Sequence, residues 1–156
     1  MKNKLFIMVL VIMLVSVTAI PAFAGPPDKA FGAWEYGPDT MVFEEVGCNT
    51  FIFMTDSGKF TGTFEGTENE EGVVAIHCNG KASFKGNLIF EGTVAGSDWG
   101  TMEMRIVGTS PDYSLWQGTW VILGGTDGLE NIKGQGKWYG PPGDLTYEGN
   151  YHFEPD

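Results

Sequence analysis

The chain has 156 residues, with 20 acidic against nine basic side chains and a formal net charge of −11. That balance argues against nucleic acid and anionic membrane surfaces as partners, because phosphate binding needs clustered Lys and Arg. The length suits one domain able to bury a core of its own.

The first segment runs Met1-Lys2-Asn3-Lys4, then apolar from Leu5 to Ile20, then Pro21-Ala22-Phe23-Ala24. This charged, apolar and small-residue order predicts a signal peptide over residues 1–24, cleaved after Ala24. The apolar run falls short of the roughly 18 to 20 residues that cross a bilayer, so no stable membrane anchor is expected after cleavage. Lys2 and Lys4 would leave with the signal, giving 132 residues with seven basic and 20 acidic side chains. The expected location is secreted or periplasmic. The acidity reads first as solubility, with calcium or a cationic polymer as the alternative meaning.

Residues 25–29, with Pro26-Pro27, read as a flexible leader, and 30–156 as the folded domain. No segment sustains a helical period over three turns. Short β-rich runs follow instead: Ala30–Tyr36, Met41–Val46, Thr50–Thr55, Lys59–Thr67, Val73–Cys78, Lys81–Ala95, Thr101–Val107, Leu115–Leu123, Gly134–Tyr139 and Leu145–Phe153. Turns are expected at Gly37-Pro38-Asp39, Asp56-Ser57-Gly58, Asn79-Gly80 and Gly140-Pro141-Pro142-Gly143. Asn79-Gly80 is the strongest hairpin signal. Cys48 and Cys78 are an even pair in an exported chain and are expected to form a disulfide.

Period-two alternation sets Phe60, Gly62, Phe64 and Gly66 against Lys59, Thr61, Thr63 and Glu65, and Phe84, Gly86, Leu88 and Phe90 against Ser83, Lys85, Asn87 and Glu91. All 23 glycines lie beyond residue 24, a content more than twice the usual value of about 7%. Glycines inside strands mark bulges, bends and close backbone approach. An all-β fold is expected, a single closed antiparallel barrel of about eight strands, which removes exposed edges. A two-sheet β-sandwich is the alternative.

The stretch from Gly118 to Gly136, Gly-Thr-Trp-Val-Ile-Leu-Gly-Gly-Thr-Asp-Gly-Leu-Glu-Asn-Ile-Lys-Gly-Gln-Gly, resembles the strand, Gly-Gly-Thr turn, apolar turn and Gly-x-Gly strand of the allene oxide cyclase-like and dirigent-like barrels, which include small bacterial secreted members of unknown function. The family's turn ordinarily reads Gly-Thr-Gly before an apolar pair, whereas here Asp127 precedes Gly128. The resemblance implies the barrel fold and allows a cyclase or isomerase activity on a lipophilic substrate. It carries over no catalytic residue. Apart from it, Trp120 and Ile122 share a strand face, and Leu129 with Ile132 can plug a barrel end.

The usual zinc and serine-hydrolase signatures are absent, and neither a metal site nor a cofactor is expected. The acidic runs Asp127-Glu130-Asn131 and Glu68-Asn69-Glu70-Glu71 lack the spacing of a calcium loop and read as solvated turns. Arg105 lies outside if the face of Met102, Met104 and Ile106 is the inner one. With the faces reversed it would be an anion anchor inside. An enzyme would draw its acid and base from Glu91, Asp98, Glu103, His77 or Tyr151. Ligand-binding candidates are Trp34, Tyr36, Trp99, Arg105, Trp116, Trp120 and Tyr151, since a barrel of this size is either filled or holds one small ligand. The expected function is binding of a small hydrophobic molecule. The alternative is a structural or surface-interaction protein with a filled barrel, and the number of subunits is left open.

Overall fold

The computed structural model describes residues 26–155. The expected signal peptide therefore lies outside the described residues. Eight antiparallel strands follow one another around a single ring-closed sheet: β1 (Asp28–Val46), β2 (Asn49–Gly62), β3 (Phe64–Ile76), β4 (Ala82–Val94), β5 (Gly100–Ser110), β6 (Trp116–Asp127), β7 (Ile132–Gly140) and β8 (Asp144–Phe153). β1 begins at Asp28, inside the expected leader. The ring closes where β1 pairs with β8, from Asp28 opposite Tyr151 to Glu35 opposite Asp144.

Alternation decides the faces. Along β4, Ala82, Leu88, Phe90 and Val94 are buried while Lys85, Asn87, Ile89 and Glu91 face out. On β5 the methionine face is the inner one: Met102, Met104 and Ile106 are buried, and Glu103 and Arg105 are exposed. Leu129 and Ile132 sit at the β6–β7 connection, fully buried, and plug that end of the barrel. The left-handed residues Asp127 and Asn131 turn the chain there. Glycine also makes room for the largest rings, as a Cβ at Gly136 or Gly149 would strike the Trp120 indole.

Ten expected runs become eight strands because segments expected to turn continue the ladder and one expected run is broken. Gly37-Pro38-Asp39 is a register shift inside β1, between Pro38 and Thr40, and not a turn. β8 accompanies β1 only as far as Glu35. Beyond that point β1 is an edge, where a proline withholds no ladder hydrogen bond on the open side. Asp56-Ser57-Gly58 lies within β2, with Asp56 paired to Pro38 on one side and to Glu70 on the other. The run Lys59–Thr67 is instead broken at Thr63, after Gly62 with φ of 102°. Thr63 N donates to Phe31 O there, at 3.0 Å.

The Asn79-Gly80 hairpin forms as expected, with Gly80 N donating to His77 O at 2.8 Å and Gly80 in the left-handed region. The bridge between Cys48 and Cys78 joins the tips of the β1–β2 and β3–β4 hairpins, with Cα atoms 5.1 Å apart. Such a bond is at home in an oxidising compartment.

Candidate functional site

The interior is filled at one end and hollow at the other. Toward the plugged end, the Phe64 and Tyr147 rings stack at 5.0 Å and 7°, and Trp120 meets Phe64 edge-on at 5.6 Å. The contact zone among Phe60, Phe64, Met104, Ile106, Trp120 and Tyr147 leaves no volume for water. Its polar tips are satisfied: Tyr147 OH accepts from Phe64 N at 2.9 Å and donates to Thr61 O at 3.2 Å, and Trp120 Nε1 donates to Lys137 O at 3.2 Å. Burial pushes the Tyr147 hydroxyl up to about 12.

Toward the opposite end, a cavity of about 390 Å3 opens where β1 outruns β8. Trp34, Tyr36, Trp116, Trp138 and Phe84 supply aromatic surface, and Tyr113 and Gly143 come from the β5–β6 and β7–β8 connections. A volume in this range is that of a small-molecule site. Tyr113 packs edge-on against Trp116 at 5.4 Å.

The wall is not wholly apolar. Asp56 on β2 and Glu70 on β3 line the cavity, and Glu68 lies diagonally across from Asp56, one inward position from Glu70. All three are buried, at 2%, 3% and 1% exposure respectively. Their places follow from parity: Ile52, Asp56 and Phe60 on β2 and Phe64, Glu68, Glu70 and Val74 on β3 all belong to the inner face. Glycine clears the space, since a Cβ at Gly58 would come within 2.7 Å of Glu68 Oε1 and one at Gly86 within 2.5 Å of Glu70 Oε1.

Three ionised carboxylates so placed would all be acceptors. Trp34 Nε1 donates to Glu68 Oε1 at 3.2 Å, but Asp56 Oδ1, Glu68 Oε2 and Glu70 Oε1 are buried with no hydrogen-bond partner. Burial without a donor penalises the charged form, and each like-charged neighbour adds to the penalty. Burial accordingly pushes Asp56 up to about 7, opposed by a hydrogen bond from Glu68. Glu68 is pushed up to about 8, by burial first and by the Asp56 charge second, and Glu70 well above the carboxylate range for the same two reasons. A proton on Glu68 lets its hydroxyl donate to Asp56. Near neutral pH the wall thus holds protons that titrate in the physiological range. Burial likewise raises the Tyr36 hydroxyl to about 12.

Of the residues singled out from sequence, Trp34, Tyr36 and Trp116 line the cavity. Trp120 and Tyr151 are buried toward the plugged end, with Tyr151 edge-on to Phe64 at 6.4 Å. Trp99 is 61% exposed on the β4–β5 connection, and Arg105 is on the outer face. Glu91, Asp98, Glu103 and His77, considered as sources of an acid or base, are all exposed, and His77 Nε2 pairs with Ser83 Oγ at 3.2 Å. The reading of Glu68-Asn69-Glu70-Glu71 as a solvated turn is corrected, because the run is continuous strand and its two even members point inward. The same holds for Asp56. Among the described residues, no group of three or more His, Cys, Asp or Glu is arranged to hold a metal ion.

No family model matches the sequence, and no curated protein matches it. The fold does have solved likenesses. A crystal structure of an enzyme from Penicillium herquei aligns with a TM-score of 0.48 at 10% identity, over 84% of this chain and 99% of that one, too distant to carry an argument. The barrel is similar to the crystal structure of a protein of unknown function from the DUF3224 family of Shewanella oneidensis MR-1, with a TM-score of 0.68 at 18% identity over 84% of this chain and 100% of that one, and at this identity the likeness shows a shared fold alone.

Proposed function

We propose that the protein is a binding barrel, secreted or periplasmic, that holds one small and mostly apolar molecule in the aromatic cavity between β1 and the β5–β6 and β7–β8 connections. The observation that carries this reading is the cavity itself, about 390 Å3 walled by indole, phenol and phenyl rings in a barrel whose other half is tightly packed. Ring surface left facing an open volume is binding energy in reserve, since covering it removes apolar area from water. The filled-barrel alternative describes only the plugged half. The disulfide supports the proposed location.

A second reading has its own support. A carboxyl that titrates near 7 beside a hydrophobic cavity is matched to general acid–base work at neutral pH, and Asp56 is such a group. In this reading the barrel would stand with the allene oxide cyclase-like and dirigent-like barrels, which the Gly118–Gly136 stretch resembles, and would isomerise or cyclise a lipophilic substrate. Native mass spectrometry of the protein purified from its own host tests the primary reading. A bound small mass that is lost on denaturation is expected. A bare chain, together with failure of any apolar dye to bind or be displaced, would overturn it.

A further inference from the structure

The carboxyl wall narrows the ligand class. Resting on the binding reading above, we infer that the molecule held in the cavity is an organic ammonium compound, its cationic nitrogen facing Asp56 and Glu70 and its apolar part lying against Trp34, Tyr36, Trp116 and Trp138. Asp56 and Glu70 line the cavity, and each keeps one carboxyl oxygen buried without a hydrogen-bond partner. A purely apolar occupant leaves the carboxyl wall beside it uncompensated, which is costly in a dry site. An anionic occupant meets Asp56 and Glu70 with no Lys, Arg or His among the described lining residues to offset them. An ammonium group supplies both donors and charge, and the faces of Trp and Tyr attract a cation within about 6 Å of the ring. The acidic surface of the chain steers cations in the same direction.

Binding then displaces protons. The titratable and charged groups around the wall are Tyr36 and Asp39 from β1, Asp56 from β2, Glu68 and Glu70 from β3 and Tyr113 from the β5–β6 connection, and all are acids. Without ligand, burial and mutual repulsion favour the protonated forms of Asp56, Glu68 and Glu70. A cation favours their ionised forms, so the protons pass to buffer and affinity rises with pH until the wall is ionised.

The test is calorimetric titration of the disulfide-bonded protein with phenethylamine, with phenethyl alcohol as a neutral probe of nearly the same shape. Phenethylamine should bind about tenfold or more tightly at about pH 8.5 than at about pH 5.5 and should release protons, while the affinity of the alcohol stays flat and weaker. Asp56→Asn and Glu70→Gln should each weaken the amine about tenfold more than they weaken the alcohol. The wild-type pH comparison stands alone if either variant fails to fold. Equal binding of alcohol and amine, or tighter binding of the amine at acid pH, would overturn the ammonium assignment and leave the cavity reading intact. Binding of neither probe would also overturn it, with the native mass spectrum deciding separately whether the cavity is occupied.

Discussion

At the end closed by Leu129 and Ile132, the aromatic core spends its polar atoms on the backbone, as when Tyr147 bridges Phe64 N and Thr61 O. At the open end, Trp34 donates to the Glu68 carboxyl, and three further carboxyl oxygens have no partner. The same barrel thus contains one region whose aromatic polar tips are paired and one whose carboxyl oxygens are not. Unpaired buried carboxyls oppose folding, so their presence beside an open volume marks that region as built for something other than stability.

Breaking the packed half should have the largest effect. Phe64→Ala removes a fully buried ring that touches Phe60, Phe90, Trp120 and Tyr147. It is expected to cost about 3–5 kcal/mol in urea unfolding. Next comes the staple across the hairpin tips, which closes a segment with a sequence separation of 30. Removing it with paired Cys48→Ser and Cys78→Ser changes should cost about 3–4 kcal/mol in the chain-entropy account, read from the same unfolding curves.

The open half should respond in the opposite sense. Asp56 and Glu68 have folded pKa values above their unfolded ones, so the folded state holds more protons. The associated stability is fully present below the unfolded carboxylate range and is lost as pH rises through about 7 and 8. The unfolding midpoint is therefore expected to fall between about pH 5 and about pH 8.5. Asp56→Asn should be nearly neutral at acid pH and stabilising by about 1–3 kcal/mol at alkaline pH, which thermal melts across that range would check. A flat pH profile would erase the contrast between the two ends. The smallest effect belongs outside both: Arg105→Ala, on the outer face of β5, should stay within about 0.5 kcal/mol.

Much of the fold was legible because apolar alternation reports a buried face directly. Phe60 with Phe64, Phe84 with Leu88 and Phe90, and the Met102–Met104–Ile106 face all pointed the right way, as did the plug of Leu129 and Ile132. The site was legible only in its aromatic part. Asp56-Ser57-Gly58 and Glu68-Asn69-Glu70-Glu71 have the composition of solvated turns, and turn chemistry outweighed periodicity in reading them. Parity held the missing signal: counting by twos back from Phe60 reaches Asp56, and forward from Phe64 reaches Glu68 and Glu70. Pro38 misled in the same way, because the fact that excuses it, an edge opened by the shortness of β8, depends on a partner more than 100 residues away in the chain.

Each of the seven sequential strand pairings joins neighbours in the chain, and only the seam of β1 with β8 joins its two extremities. In folding, that seam is expected to form last, since contacts between distant segments carry the largest loop-closure cost. A chain short of that step would be a curled sheet with both edges open, its interior acids still hydrated. Only when β8 arrives would the ring shut and the carboxyls leave water, so closure of the barrel and uptake of its protons would be one kinetic event.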